Sequence, residues 1–259
     1  MAWRLACLAL LGLPWANAMA QPCEGRYPRA TPFTGDLRLA GLRQVWGREN
    51  VTPLPGEAGG MRVRYPAGSI NPGNAAAPVG GAGFLWPEGP GAEARCLSYR
   101  VRFGEGFDFA LGGKLPGLAG GEAPRGCTPA DLSRGFSARL MWRGQGAGEL
   151  YLYAPDRAAR CGDSIGRGSW RLTPGAWTEI AQEVILNRPG EANGMIRLWV
   201  NGQRVLERRD LVLRETAGIR VDAALFATFF GGNDPRWASP REQWADFAAL
   251  TLWDAAPAR

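Results

Sequence analysis

Apolar and polar side chains alternate with a period of two along most of the chain, and glycine and proline interrupt the alternation every few residues. MRVRYP (61–66) sets Met61, Val63 and Tyr65 against Arg62 and Arg64. CLSYRVRF (96–103) sets Leu97, Tyr99, Val101 and Phe103 against Ser98, Arg100 and Arg102. Further runs follow at 177–187, 194–209, 223–232 and 244–254. The second of these contains Asn201-Gly202, a hairpin signal because both residue types tolerate positive φ. No helical period runs far enough to build a layer. The pattern predicts a single all-β domain, an antiparallel sandwich or barrel. Residues 67–95, rich in glycine, alanine and proline, read as loop.

FSARLMWRGQGAGELYLYAP (136–155) reads as two strands around a glycine-rich turn. Alternation sends Phe136, Ala138, Leu140 and Trp142 one way and Ser137, Arg139, Met141 and Arg143 the other. After the turn, Leu150 and Leu152 oppose Tyr151 and Tyr153. The polar and phenolic sets share a face only if paired residue numbers sum to an even value, since a one-residue slip flips every side chain. The expected sum is near 292 or 294.

Composition adds a compartment. MAWR, LACLALLGLPWA and ANAMA have the charge, apolar stretch and small-residue site of a secretory signal, with cleavage expected after Ala20 or, alternatively, Ala18. Residues 21–259 are then one domain, secreted or periplasmic, with no membrane span after cleavage. Four cysteines remain. An even number in an exported chain suggests two disulfides, and proximity in sequence favours Cys127 with Cys161 and Cys23 with Cys96. Their spacing matches no common zinc pattern and the chain has no histidine, so no metal and no cofactor are expected. Removing Arg4 with the signal leaves 29 basic against 24 acidic residues. This mild excess favours an acidic partner and argues against nucleic acid. Of the chain's 30 basic residues only Lys114, in LGGKLPGLAGG, is a lysine. A compact ammonium and a planar guanidinium do different work, although GGKLPGL also has the composition of a tight turn.

Without histidine, no histidine-based triad is possible, and the hairpin's only carboxylate, Glu149, falls short of the pair that glycoside hydrolysis uses. A tyrosine can act as base or acid when cations stabilise its phenolate, and arginine or lysine can neutralise a carboxylate. Those are the requirements for β-elimination from a uronic acid. Pairing the carboxylate with a cation makes the C5 proton removable by stabilising the enolate-like charge that develops.

GGKLPGL, FSARLMWR, GAGELYLY, IRLWVNG and FATFFGGND, in that order, resemble the polysaccharide lyase family 14 domain over residues 96–253. The resemblance implies a β-jelly-roll of two antiparallel sheets with a concave substrate cleft, and a metal-independent elimination on an acidic polysaccharide such as alginate or glucuronan. It carries the family's functional lysine, serine, arginine and two tyrosines onto Lys114, Ser137, Arg139, Tyr151 and Tyr153. Lys114 and Arg139 take the carboxylate, the tyrosines are base and acid in unassigned order, and Ser137 positions substrate or a tyrosine. Weaker substrate contacts are expected at Arg100 and Arg102, which line the cleft or sit on a wet face. The same holds for Asn233, Asp234, Arg236 and Trp237, where sugar contact competes with a plain turn. Trp142, Trp199 and Trp253 are assigned to the core by alternation. A monomer is expected. A lectin-like jelly-roll that binds acidic glycan without cleaving it is the alternative, and an envelope protein with no sugar ligand is a third.

Overall fold

The computed structural model describes residues 22–127, 131–232 and 234–254; the expected signal segment lies outside them, as does Asn233. Fifteen strands form among the described residues. They are β1 (Arg29–Pro32), β2 (Arg43–Trp46), β3 (Val51–Pro53), β4 (Met61–Tyr65), β5 (Ala82–Ala92), β6 (Ala94–Phe103), β7 (Gly112–Gly121) and β8 (Gly135–Arg143). The rest are β9 (Gly148–Tyr153), β10 (Asp163–Ile165), β11 (Thr178–Ile185), β12 (Gly194–Val200), β13 (Gln203–Leu211), β14 (Val221–Phe230) and β15 (Gln243–Asp254). Helix is confined to four single 3-10 turns.

Two antiparallel sheets stack as a jelly-roll sandwich. One has the order β13-β12-β11-β6-β15-β4-β3, with β1 paired to β15; the other has the order β10-β9-β8-β7-β14-β5-β2. Period-two alternation explains the core between them. Leu97, Tyr99, Val101 and Phe103 of β6 face Phe136, Leu140, Trp142, Leu150 and Phe226 of the second sheet. Trp142 packs edge-on to Phe103, with ring centres 5.3 Å apart, and to Phe230 at 5.5 Å. Each large apolar side chain so buried contributes roughly 1.5–3 kcal/mol. Asn201 (φ 49°) and Gly202 (φ 76°) turn β12 into β13 as their residue types foretell.

Four expectations need correction. Residues 82–92, within the segment expected to be loop, are a strand between β14 and β2. Phe84 and Trp86 enter the core while Leu85 faces out, an alternation hidden by the surrounding glycine and proline. GGKLPGL is likewise part of strand β7, not a turn. Pro116 interrupts its pairing with β8 between Leu115 and Leu118, and there a Cβ on Gly117 would lie 2.0 Å from the Ala138 carbonyl oxygen. The β8–β9 register sums to an even value, but to 290, with Ser137 opposite Tyr153 and Arg139 opposite Tyr151. Left-handed Gln145 and Gly146 close the hairpin tightly, and the Arg143 amide bonds to the Ala147 carbonyl at 2.7 Å. Finally, Trp199 and Trp253 point away from the main core and pack on a satellite cluster around the Cys23–Cys96 disulfide; only Trp142 of the three is central.

Candidate functional site

Strands β7, β8 and β9 lie side by side, so their registers set the site. One cross-strand row reads Lys114–Met141–Glu149, the next contains Arg139–Tyr151, and the third Ser137–Tyr153. Alternation turns all these side chains to the outer face of the seven-stranded sheet, opposite the core. A cleft of about 1070 Å³ opens on this face, lined by Lys114, Arg139, Tyr151 and Tyr153 among others.

Lys114 is 8% exposed, and its Nζ donates to Met141 Sδ at 3.0 Å. The same nitrogen lies 4.3 Å from the centre of the Tyr151 ring. No carboxylate pairs with it among the described residues. Burial, then the Arg139 and Arg143 charges, push its pKa well below the ordinary lysine range, with Glu149 pulling weakly the other way. Arg139 is 2% exposed, and its Nε has no hydrogen-bond partner. Burial lowers it to about 10, so it stays charged at neutral pH. The Tyr151 and Tyr153 rings meet edge to face at 5.5 Å. Burial, then Tyr153 through charge and a hydrogen bond, raises Tyr151 to about 12. Tyr153 stands between two guanidiniums, Arg139 at 5.7 Å and Arg157 at 5.5 Å from its ring centre.

The cleft is also where positive charge is left uncompensated. On the outer face of the other sheet the arginines are matched: Arg62 and Arg102 share Asp246, and Arg197 bridges Glu183 and Glu207. In the cleft, Arg125, Arg139, Arg157 and Arg160 have no carboxylate partner among the described residues, and no acidic side chain lines the walls. Arg143 alone is paired, to the fully buried Glu149 at 2.8 Å. Uncompensated cations around a groove attract an anionic ligand.

A family model described as Polysaccharide lyase 14 matches residues 55–250. The chain belongs to the polysaccharide lyase 14 family. A crystal structure of a PL-14 alginate lyase from Aplysia kurodai superposes with TM-score 0.76 at 26% identity, covering 88% of this chain and 99% of that one. An alginate lyase from a Chlorella virus superposes at TM-score 0.68 and 25% identity, over 82% and 92% of the two chains. A curated relative, the exolysin of Paramecium bursaria Chlorella virus 1, is 28% identical over 169 residues. That match covers 52% of this chain but spans only 25% of the exolysin's length.

Within this polysaccharide lyase 14 fold, the structure brings together four of the five residues expected to be central: Lys114, Arg139, Tyr151 and Tyr153. The fifth, Ser137, is fully buried beside them but does not line the cleft; its hydroxyl donates to the Pro124 carbonyl at 2.6 Å. It therefore anchors the loop that carries Arg125. Arg100 and Arg102 lie on the outer face of the other sheet, flanking Trp177 and held by Glu57 and Asp246, away from the cleft lining. Asp234 caps a 3-10 turn and pairs with Arg236 at 2.8 Å, a structural turn that keeps both out of the cleft lining. Trp237, at the end of that turn, does line the cleft, under the Arg143 guanidinium at 5.4 Å. Both expected disulfides form, Cys23–Cys96 and Cys127–Cys161.

Met141, Glu149, Arg157 and Gly162 escaped the sequence reading as site residues. Met141 shares the polar face of the hairpin and was legible by alternation. Glu149 was visible only as a carboxylate beside a turn. Gly162 is demanded by packing: a Cβ there would lie 2.7 Å from the Tyr153 ring and 2.8 Å from that of Tyr151.

Proposed function

We propose that the protein is an exported polysaccharide lyase that cleaves a uronate polymer of the alginate or glucuronan type by β-elimination. The observation that carries this reading is the convergence of a lysine, a guanidinium without a carboxylate partner and two hydrogen-bonded phenols in one cleft free of lining carboxylates. Family membership and the alginate lyase neighbours support the substrate class. Two disulfides fit an oxidising compartment and therefore support export, for which the segment 1–20 is the proposed signal. No helix among the described residues is long and apolar enough to cross a membrane.

The charges assign the roles. Arg139, buried and free at Nε, receives the uronate carboxylate and stabilises the negative charge that grows on it as the C5 proton leaves. Tyr153, between the Arg139 and Arg157 guanidiniums, is the residue placed to take that proton. Tyr151, raised to about 12, keeps its proton at neutral pH and donates it to the departing glycosidic oxygen as the C4–O bond breaks. Sugar is left with a C4–C5 double bond. The proton now on Tyr153 returns to Tyr151 through the hydrogen bond between them, which resets the pair. The entering carboxylate favours the charged form of Lys114, which shares in neutralising it.

One observation favours a second assignment. Burial and the neighbouring Arg139 and Arg143 charges favour the neutral amine of Lys114, a proton acceptor beside Tyr151. Lys114→Arg separates the two: a guanidinium replaces a charge but accepts no proton, so substantial activity in that variant sustains Tyr153 as the base and its loss sustains the amine.

The overall reading is tested by absorbance. Elimination conjugates the new double bond to the carboxylate and generates an ultraviolet chromophore from alginate or glucuronan. Depolymerisation without that chromophore indicates hydrolysis, and binding without depolymerisation indicates a lectin.

A further inference from the structure

The cleft does not end at Tyr153. Beyond it, the loops 122–127 and 154–162 meet through the Cys127–Cys161 disulfide, whose Cα atoms lie 4.3 Å apart. Both loops place arginines in the cleft wall: Arg125 from the first, Arg157 and Arg160 from the second. Each loop has a defined shape. Ser137 holds the first through the Pro124 carbonyl. Asp163 holds the second by accepting from the Ala158 amide at 3.2 Å and the Ala159 amide at 2.8 Å. Its carboxylate is thus spent on backbone, and the two arginines remain unpaired. Arg157 Nη1 is buried without any hydrogen-bond partner. Burying a guanidinium N–H unsatisfied costs free energy that a bound acceptor would recover.

Resting on the uronate-lyase reading above, we infer that Arg125, Arg157 and Arg160 form a second carboxylate subsite, which grips the sugar next to the one being cleaved. The disulfide is the frame of this subsite. It joins two loops that the sheet does not pair, and the three guanidiniums they carry belong to the wall of one cleft. A polymer with a carboxylate on every residue then binds at two points: Arg139 and Lys114 take the reacting sugar, and the arginine trio takes its neighbour. Linking two binding events in this way raises the affinity for longer chains above that for short ones. A neutral glucan gains nothing from it.

The test compares kcat/KM on alginate oligosaccharides from disaccharide to hexasaccharide for the parent protein, Arg125→Gln, Arg160→Gln and Arg160→Lys. In the parent, kcat/KM rises steeply once the oligosaccharide reaches the trio. Each glutamine variant raises KM for the long oligosaccharides roughly ten-fold and flattens that rise. Arg160→Lys, which retains the charge, recovers part of it. Thermal melts of all variants identify any that misfold; isothermal titration of the hexasaccharide into Tyr153→Phe, with and without Arg160→Gln, then gives the same comparison without turnover. An unchanged chain-length dependence in the glutamine variants, with the parent active, overturns the subsite alone. A parent that neither binds nor cleaves any uronate polymer overturns the lyase reading beneath it.

Discussion

Lys114 Nζ lies 4.3 Å from the centre of the Tyr151 ring and 3.0 Å from Met141 Sδ, with no carboxylate paired to it among the described residues. A chain that uses arginine at every other basic position has buried its one ammonium against a thioether and an aromatic ring. Such an arrangement costs stability and is retained where charge is needed on demand.

Replacing Lys114 should therefore trade activity for stability. Burial lowers its pKa in the folded protein below the unfolded value, so unfolding takes up a proton between the two and native stability rises with pH across that window. Lys114→Met removes this cost. We expect a melting temperature above that of the parent at neutral pH, corresponding to about 1–4 kcal/mol, with activity lost. A lower melting temperature contradicts the placement of Lys114.

Substrate binding should carry the opposite proton balance. A uronate carboxylate beside Lys114 favours the ammonium, so binding takes up a proton, and KM rises as pH increases through the lysine's lowered pKa. The measurement is KM against pH for the parent and for Lys114→Arg, in which the dependence should vanish.

Tyr153→Phe should fold with an unchanged melting curve and lose about 10²–10⁴-fold in kcat. Full activity would remove Tyr153 from proton transfer and leave Tyr151 to account for it.

Ser137→Ala should act through KM more than through kcat, because the hydroxyl bonds the Pro124 carbonyl and steadies the Arg125 loop rather than reaching the cleft. Steady-state kinetics distinguish this from a direct part in the reaction, which would lower kcat at unchanged KM.

The two disulfides should separate in effect. Each closes a long loop, 73 residues for Cys23–Cys96 and 34 for Cys127–Cys161, and each stabilises by about 4 kcal/mol on chain-entropy grounds. Losing Cys23–Cys96 should lower the melting temperature and leave KM alone, since that bridge lies on the outer face of the other sheet. Losing Cys127–Cys161 should lower the melting temperature and raise KM.

Much of this was legible because strand alternation is a simple code. The β8–β9 hairpin declared which side chains enter the core, and once the pairing sum is even, Ser137, Arg139, Tyr151 and Tyr153 must share a face. Alternation failed in two kinds of place. In β5 and β7, glycine and proline disguise strands whose pairing is decided by neighbours on both sides, as β14 and β2 do for β5. For Trp199 and Trp253 alternation was read with the wrong face inward, and for Arg100 and Arg102 it says nothing about which sheet the strand joins. Long-range partners such as Asp246 for Arg102, 144 residues away in sequence, were beyond local reading. The Arg157 and Arg160 loop was opaque for the same reason: only the fold shows that it closes on the tyrosines.

The central claim is that these phenols and cations perform elimination, in which no water enters the product. Digestion of a uronate polymer in oxygen-18 water, followed by mass spectrometry of the fragments, tests it most directly. Elimination predicts unsaturated fragments without the heavy isotope at the newly cut ends. Saturated fragments carrying oxygen-18 at the new reducing end would contradict it.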